Sequence, residues 1–391
     1  MRVRLAVLCL AYVLSQFFRA FLAVLSEPLA RDVGVTAEDL SFASGLWFVT
    51  FALMQLPVGW ALDRIGPRRT ASVLLGFGGG GGAVLFAVAT QGWHIDLAMV
   101  LIGIGCSPVL MASYYIFARQ FPPARFATLA AVMLGVGSVG NLVASYPMAL
   151  AAELVGWRAS LAGLAAVTVA VAAGIAATVR DPELVTGDMK GSVLDLLKMP
   201  VLWAILPLMF IAYAPAANIR GLWMGPYLAD IHGLDTAQVG QATLMMGLAM
   251  IAGTLAYGPL DRVFGSRKWV ILTGSVLAVA SLFGLALQVG GNVAVAVGLC
   301  AAVGFFGASY PMIIAHGRAF FPPHLAGRGV TLMNMFGIGG AGLVQFGSGR
   351  LHGAVAEAAG PAVAYATLFA VFGGALLLGV AIYLFSRDSM E

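Results

Sequence analysis

Two arginines stand alone in long apolar stretches, Arg19 within 5–25 and Arg220 within 203–227. A guanidinium presents five donors in a planar fork and matches a carboxylate, sulfonate or phosphate bidentately. Arg19 follows Arg4 by about 15 residues and precedes Arg31 by about 12, so a helix rising roughly 1.5 Å per residue carries it deep into hydrocarbon, beyond easy snorkelling. An arginine there costs at least about 2.5–3.5 kcal/mol on insertion scales, so each should face a watery cavity or a partner. No acid inside these stretches can neutralise either one: Glu27 lies near the end of the first, and Asp63 and Asp261 belong to loops. Two forks from opposite halves could clamp one anion near the midplane. The alternative is that each pairs with backbone carbonyls or a helix C-terminus as a structural plug.

On a continuous helix, seven residues are two turns of one face. That spacing sets Tyr12 before Arg19 and Tyr213 before Arg220. Gln16 and Ser15 share the face of Arg19, and Trp223, Met224 and Tyr227 share that of Arg220. A tyrosine there can donate to the anion or hold the guanidinium; plain packing is the competing reading for each.

The elements that must carry these residues follow from composition. The 391 residues are 61% hydrophobic and 10% charged, with mean hydropathy +0.95. No soluble core needs so much apolar sequence, so the chain is an all-α polytopic membrane protein. Twelve apolar runs separate, at about 4–26, 39–62, 70–90, 95–118, 126–151, 158–178, 201–228, 237–260, 269–289, 292–317, 328–349 and 363–385. The third is rich in glycine, Gly78 to Gly82, without a phosphate-loop lysine, and reads as close helix packing. With the N-terminus inside, sixteen of the 21 Lys and Arg fall on the inner side and three, Arg31, Arg158 and Arg350, on the outer. That asymmetry predicts cytoplasmic termini in a cell inner or plasma membrane and accounts for the net charge of +4 without nucleic acid. The start reads as an uncleaved first span rather than a signal peptide. Cys9, Cys106 and Cys300 lie singly in apolar runs and read as buried thiols.

The polar stretch 181–199 separates an N-terminal half, 1–180, from a C-terminal half, 200–391, each with six runs. The halves repeat. Asp63-Arg64-Ile-Gly66-Pro-Arg68-Arg69 after the second run is echoed by Asp261-Arg262-Val-Phe-Gly265-Ser-Arg267-Lys268 after the eighth, and Phe121-Pro122-Pro123 by Phe321-Pro322-Pro323. The common offset near 200 residues indicates an internal duplication.

At these residues the chain resembles the major facilitator superfamily, in the loop between that family's second and third helices and over its whole length. The resemblance implies two pseudo-symmetric six-helix bundles around a central cavity opening alternately to each side. Phe17-Phe18-Arg19 and Asn218-Ile-Arg220-Gly-Leu-Trp-Met-Gly-Pro-Tyr227 are similar to the organophosphate:phosphate antiporters, and the first-helix arginine to the anion:cation symporters. In the antiporters an arginine on the first helix and one on the seventh bind phosphate, which implies substrate binding by Arg19 and Arg220. Trp47, Asn141 and Asn334 lie on spans that line the cavity in this fold. Asp63 with Arg64 and Arg68, and its copy Asp261 with Arg262, is expected to form a cytoplasmic gating latch, a carboxylate facing a neighbouring helix N-terminus and several arginines.

The expected function is alternating-access transport of a small organic or phosphorylated anion by a monomer in the lipid bilayer, without cofactor or resident metal. One alternative is a soft-metal (copper) importer using Met245, Met246, Met250, Met312 and His316; another is a non-transporting anion receptor. Enzyme activity has no supporting constellation. Coupling stays open, with His316, at the inner end of the tenth run, read as the only histidine in a span and as interfacial.

Overall fold

In hydrocarbon no water satisfies the peptide groups, so apolar runs of this length must close their hydrogen bonds internally as helices. The computed structural model describes residues 2–121, 123–182, 193–322 and 326–389, and all regular structure among them is helical. Among the described residues ten helices are long and apolar enough to cross a membrane, or up to twelve if two bent pairs each count as one span. Most of the linker expected at 181–199, and the side chain of Arg262, lie outside the described residues. The contacts divide the chain into two compact units: Met1–Gly187 with Thr236–Gly240, and Asp188–Asp235 with Gln241–Glu391.

In the first unit Arg2–Phe17 packs on Pro123–Val143, and Ala37–Leu53 on Gly92–Cys106. In the second, Leu206–Ala212 packs on Ala326–Ala359, and Arg267–Leu287 on Pro361–Tyr383. Without a hydrophobic drive between helices in lipid, close approach at small residues holds such pairs together. A Cβ on Gly140 would run into the carbonyl oxygen of Val13, and one on Gly340, 200 residues later, into that of Phe210. Gly78 and Gly82 press their helix on Gly92–Cys106 in the same way, where a Cβ would lie 2.7 Å from the carbonyl oxygen of Leu101 and 2.8 Å from that of Ala98. Among the described residues the left-handed glycines also pair across the repeat: Gly34 with Gly233, Gly66 with Gly265, and Gly156 with Gly360.

Three departures from the sequence reading matter for the site. The first span is not one helix: Arg2–Phe17 and Leu22–Val33 meet at 55°, and Phe18–Phe21 between them form a turn. The shared face of Tyr12 and Arg19 presumed an unbroken helix, so that register does not survive. The seventh span is a relay of short pieces, Pro200–Trp203, Leu206–Ala212 and Ala214–Asn218, then a π-turn Ile219–Trp223 and Met224–His232. Pro207 and Pro215, each near the start of a piece, have no N–H to give a preceding turn. Finally, Ala326–Ala359 runs ten residues past the apolar stretch that ends at 349. It carries His352 inside a candidate span, Gly329–Ala359. His316 is therefore not the only span histidine, and it is fully buried within its unit.

Candidate functional site

The first unit presents Arg19 from the turn in its broken span. Phe17, Phe18 and Phe21 pack on one another around it, and Phe21 reaches Phe86 at 5.2 Å between centroids. With these rings turned inward, the half-buried guanidinium lies 5.2 Å from the ring centre of Trp47 and 5.4 Å from that of Phe51. The two rings stack at 5.1 Å. A cation over such faces gains about 0.5–2 kcal/mol, more when desolvated, and keeps its N–H edge for other oxygens. Trp47 is 1% exposed, and its Nε1, like Gln16 Oε1, has no hydrogen-bond partner among the described residues. Tyr12 is buried instead against Gly137 and beside Tyr114. Asn141 stands in the last turn of Pro123–Val143, where its carbonyl accepts the Ser145 hydroxyl at 3.0 Å, just before a 42° bend.

The second unit presents Arg220 from the π-turn. A π-turn widens the helix by one residue and often marks a functional position. Arg220 is 4% exposed and lies in the field of Tyr213. Gly247 leaves the space it occupies, since an added Cβ would sit 3.2 Å from the guanidinium Nε. The Tyr213 ring meets that of Tyr310 at 5.2 Å, and the Tyr310 hydroxyl donates to Asn334 Oδ1 at 2.8 Å. Tyr213 and Asn334 are thus joined through Tyr310, with Arg220 beside Tyr213. Asn218 Nδ2 donates to the Ala341 carbonyl at 3.2 Å, while its Oδ1 has no partner among the described residues.

Trp223 and Tyr227 turn into a separate buried cluster. Trp223 Nε1 donates to Ser348 Oγ at 2.9 Å, and the Tyr227 hydroxyl donates to the Val289 carbonyl at 3.1 Å. Met246 and Met250 close on Gly304, where an added Cβ would lie 3.1 and 2.9 Å from their Cγ atoms.

At the loops, Asp63 and Arg64 are exposed, and Asp63 lies against Tyr115, on whose ring Arg119 rests at 4.4 Å. Asp261 pairs with Arg267 at 3.1 Å. Arg68 contributes its backbone N–H, donated to Asp181 Oδ1 at 2.7 Å. The carboxylate at the N-terminus of Pro67–Val73 is therefore Asp181, and Asp388 plays that part for Arg267–Leu287. Asp388 Oδ1 accepts the Lys268 N–H at 3.1 Å, and its Oδ2 accepts the Ser266 hydroxyl, whose oxygen caps Trp269 N–H at 3.1 Å. Each aspartate follows an arginine just beyond the last helix of its half, Arg180-Asp181 and Arg387-Asp388. That dipeptide was the available signal for this second repeat. Burial alone would raise the Asp388 carboxyl, but hydrogen bonds from Ser266 and Lys268, with His316 nearby, hold it below the usual range. His316 Nε2 faces the Arg387 carbonyl at 2.9 Å, so that nitrogen carries the hydrogen and Nδ1 accepts the Tyr383 hydroxyl at 2.6 Å.

The profile of the Major Facilitator Superfamily matches residues 8–345. The chain is 23% identical over 317 residues to a probable sulfoacetate transporter of Cupriavidus necator, covering 71% of each. It is 24% identical over 144 residues to a probable galactarate/D-glucarate transporter of Escherichia coli, 36% of this chain and 31% of the relative. Its fold matches that of an inward-facing, occupied bacterial homolog of the human lysosomal transporter Spinster, with TM-score 0.79 at 17% identity over 98% and 96% of the two chains.

Proposed function

The chain belongs to the Major Facilitator Superfamily, a family of membrane transporters rather than enzymes, and from that premise we propose that it carries a small organic anion by alternating access, held by Arg19 and Arg220. One observation carries this reading: each unit offers an arginine from an irregular turn of its first span, set among aromatic side chains. Broken helices near the membrane midplane are where transporters of this kind present backbone and side-chain donors to substrate. The relatives' cargoes, sulfoacetate and D-glucarate, have the oxygen geometry a guanidinium fork accepts bidentately. Both termini lie in the cytoplasm in this reading, as the distribution of lysine and arginine requires.

The test is a thermal-shift screen of the purified chain with sulfoacetate, D-glucarate and inorganic phosphate against uncharged sugars. A ligand at a hundred times its Kd stabilises the native state by about 2.7 kcal/mol. Arg19→Gln and Arg220→Gln should each abolish the shift. Stabilisation by uncharged sugars alone, persisting in both variants, would refute anion binding.

A further inference from the structure

We propose that His352 is the proton site of this carrier, taking up the proton that moves with the anion and reporting its state to Arg220 through Trp223. This rests on the anion-carrier reading for its coupling half only; whether His352 binds a proton is decided separately below.

His352 is 8% exposed, yet its Nε2 has no hydrogen-bond partner among the described residues. A buried ring nitrogen left bare costs about 1–3 kcal/mol, so packing alone is a poor account of a histidine here. The ring lies between two others, 4.5 Å from Tyr365 and 4.9 Å from Trp223. The Tyr365 hydroxyl donates to Asp230 Oδ2 at 2.6 Å, and Asp230 is exposed near the end of Met224–His232. The charge bearing on His352 is that carboxylate. The remaining titratable groups of the cluster are Tyr227, packed on Tyr365 at 5.4 Å, and His232, whose Nε2 is 3.3 Å from the Tyr227 hydroxyl. On its own helix Arg350 and Glu357 are exposed. Asp230 is thus a solvent-facing acid whose charge offsets that of an imidazolium at His352, which is what a desolvated cation requires.

The link to the anion is Trp223. It is the last residue of the π-turn that holds Arg220. The helix Ala326–Ala359 grips it twice on one face, by the hydrogen bond from its Nε1 to Ser348 and by the His352 ring one turn on. When Nε2 takes a proton, the imidazolium attracts the indole face that the neutral ring only touches. The pull falls on the turn from which Arg220 projects.

Two measurements decide the matter. A protonated imidazole against an indole quenches its fluorescence, and His94 also lies against an indole, 4.0 Å from Trp93 between centroids, so the measurement uses a His94→Gln background; there, emission of the full-length protein in detergent should fall in a single step as pH drops between about 8 and 5. His352→Gln and Trp223→Phe should each remove that step, and Asp230→Asn should displace its midpoint to lower pH. A His94→Gln protein without the step, or a His94→Gln/His352→Gln protein that keeps it, overturns the proposal. In vesicles loaded with a pH dye, external sulfoacetate or D-glucarate should acidify the lumen, and His352→Gln should slow this roughly tenfold or more. Unfolding midpoints of all variants within a few degrees of wild type exclude misfolding. Anion entry without acidification in the wild type overturns the coupling. If neither anion stabilises the wild type or enters its vesicles, the carrier reading falls, and the fluorescence step alone decides whether His352 binds a proton.

Discussion

A guanidinium recognises an anion only as well as its surroundings fix its direction, and for Arg220 one of those surroundings is the missing side chain of Gly247. Alanine at that position would place a methyl group 3.2 Å from Nε and 3.3 Å from Nη2, tighter than an ordinary contact, so the fork must move by a few tenths of an ångström. In a helix interior the same change is favourable by about 1 kcal/mol. Gly247→Ala should therefore hold or raise the unfolding temperature while weakening binding of sulfoacetate or D-glucarate roughly tenfold, a combination that no general destabilisation produces. Titrating the thermal shift against anion concentration reads both quantities from one sample. Arg220→Lys keeps the charge but loses the bidentate fork, and should cost about 1.5–3 kcal/mol of binding on the same titration.

The loops between spans show how a helix end is held by a residue far along the chain. Asp388 accepts the Lys268 N–H and the Ser266 hydroxyl at the start of Arg267–Leu287. A cap of this kind is worth about 1 kcal/mol, typical of an N-terminal side-chain acceptor. Because the Asp388 carboxyl is held below its ordinary value, its contribution is complete above the unfolded carboxylate range and is lost as pH falls through the lower, folded one. Asp388→Ala should therefore unfold at a lower temperature than wild type near pH 7. The gap should close below about pH 4, as an acid series of melting curves would show. These caps also mark the limit of what the sequence told. Apolar runs, the lone arginines and the repeated Asp-Arg loops are one-dimensional signals, and the spans and their duplication could be read from them. The turn at Phe18–Phe21 contains neither proline nor glycine, so no breaker announced it. The π-turn at Ile219–Trp223 follows Pro215 by four residues, and a proline marks a break without telling what form the next turn takes. His352 is hidden in the sequence because Arg350 and Glu357 end the apolar stretch before the helix ends. Tyr310, which joins Tyr213 to Asn334, meets them only through packing between three helices.

Duplication constrains the whole chain more than any single motif. The same left-handed glycines, the same Gly–carbonyl contacts and the same Arg-Asp caps recur about 200 residues apart, so each unit solves the same packing problem. Six spans per half return the chain to the side it started from, so the loops after the second and eighth spans should share one side of the membrane. The positive charge of those loops predicts that this side is the cytoplasm. The three native cysteines are all buried, which leaves little background for a membrane-impermeant maleimide. Cysteine placed at Glu38, Gln91 or Glu357, each exposed in a turn or helix end on the expected outer side, should label in intact cells. Cysteine at Arg69 or Phe264, exposed in the two repeated loops, should label only after the membrane is permeabilised. Labelling of both groups from outside would reverse nothing within either unit, but it would break the odd–even alternation on which twelve spans and cytoplasmic termini depend. Labelling at Arg69 alone would place the two repeats on opposite sides and make the halves inverted rather than parallel copies.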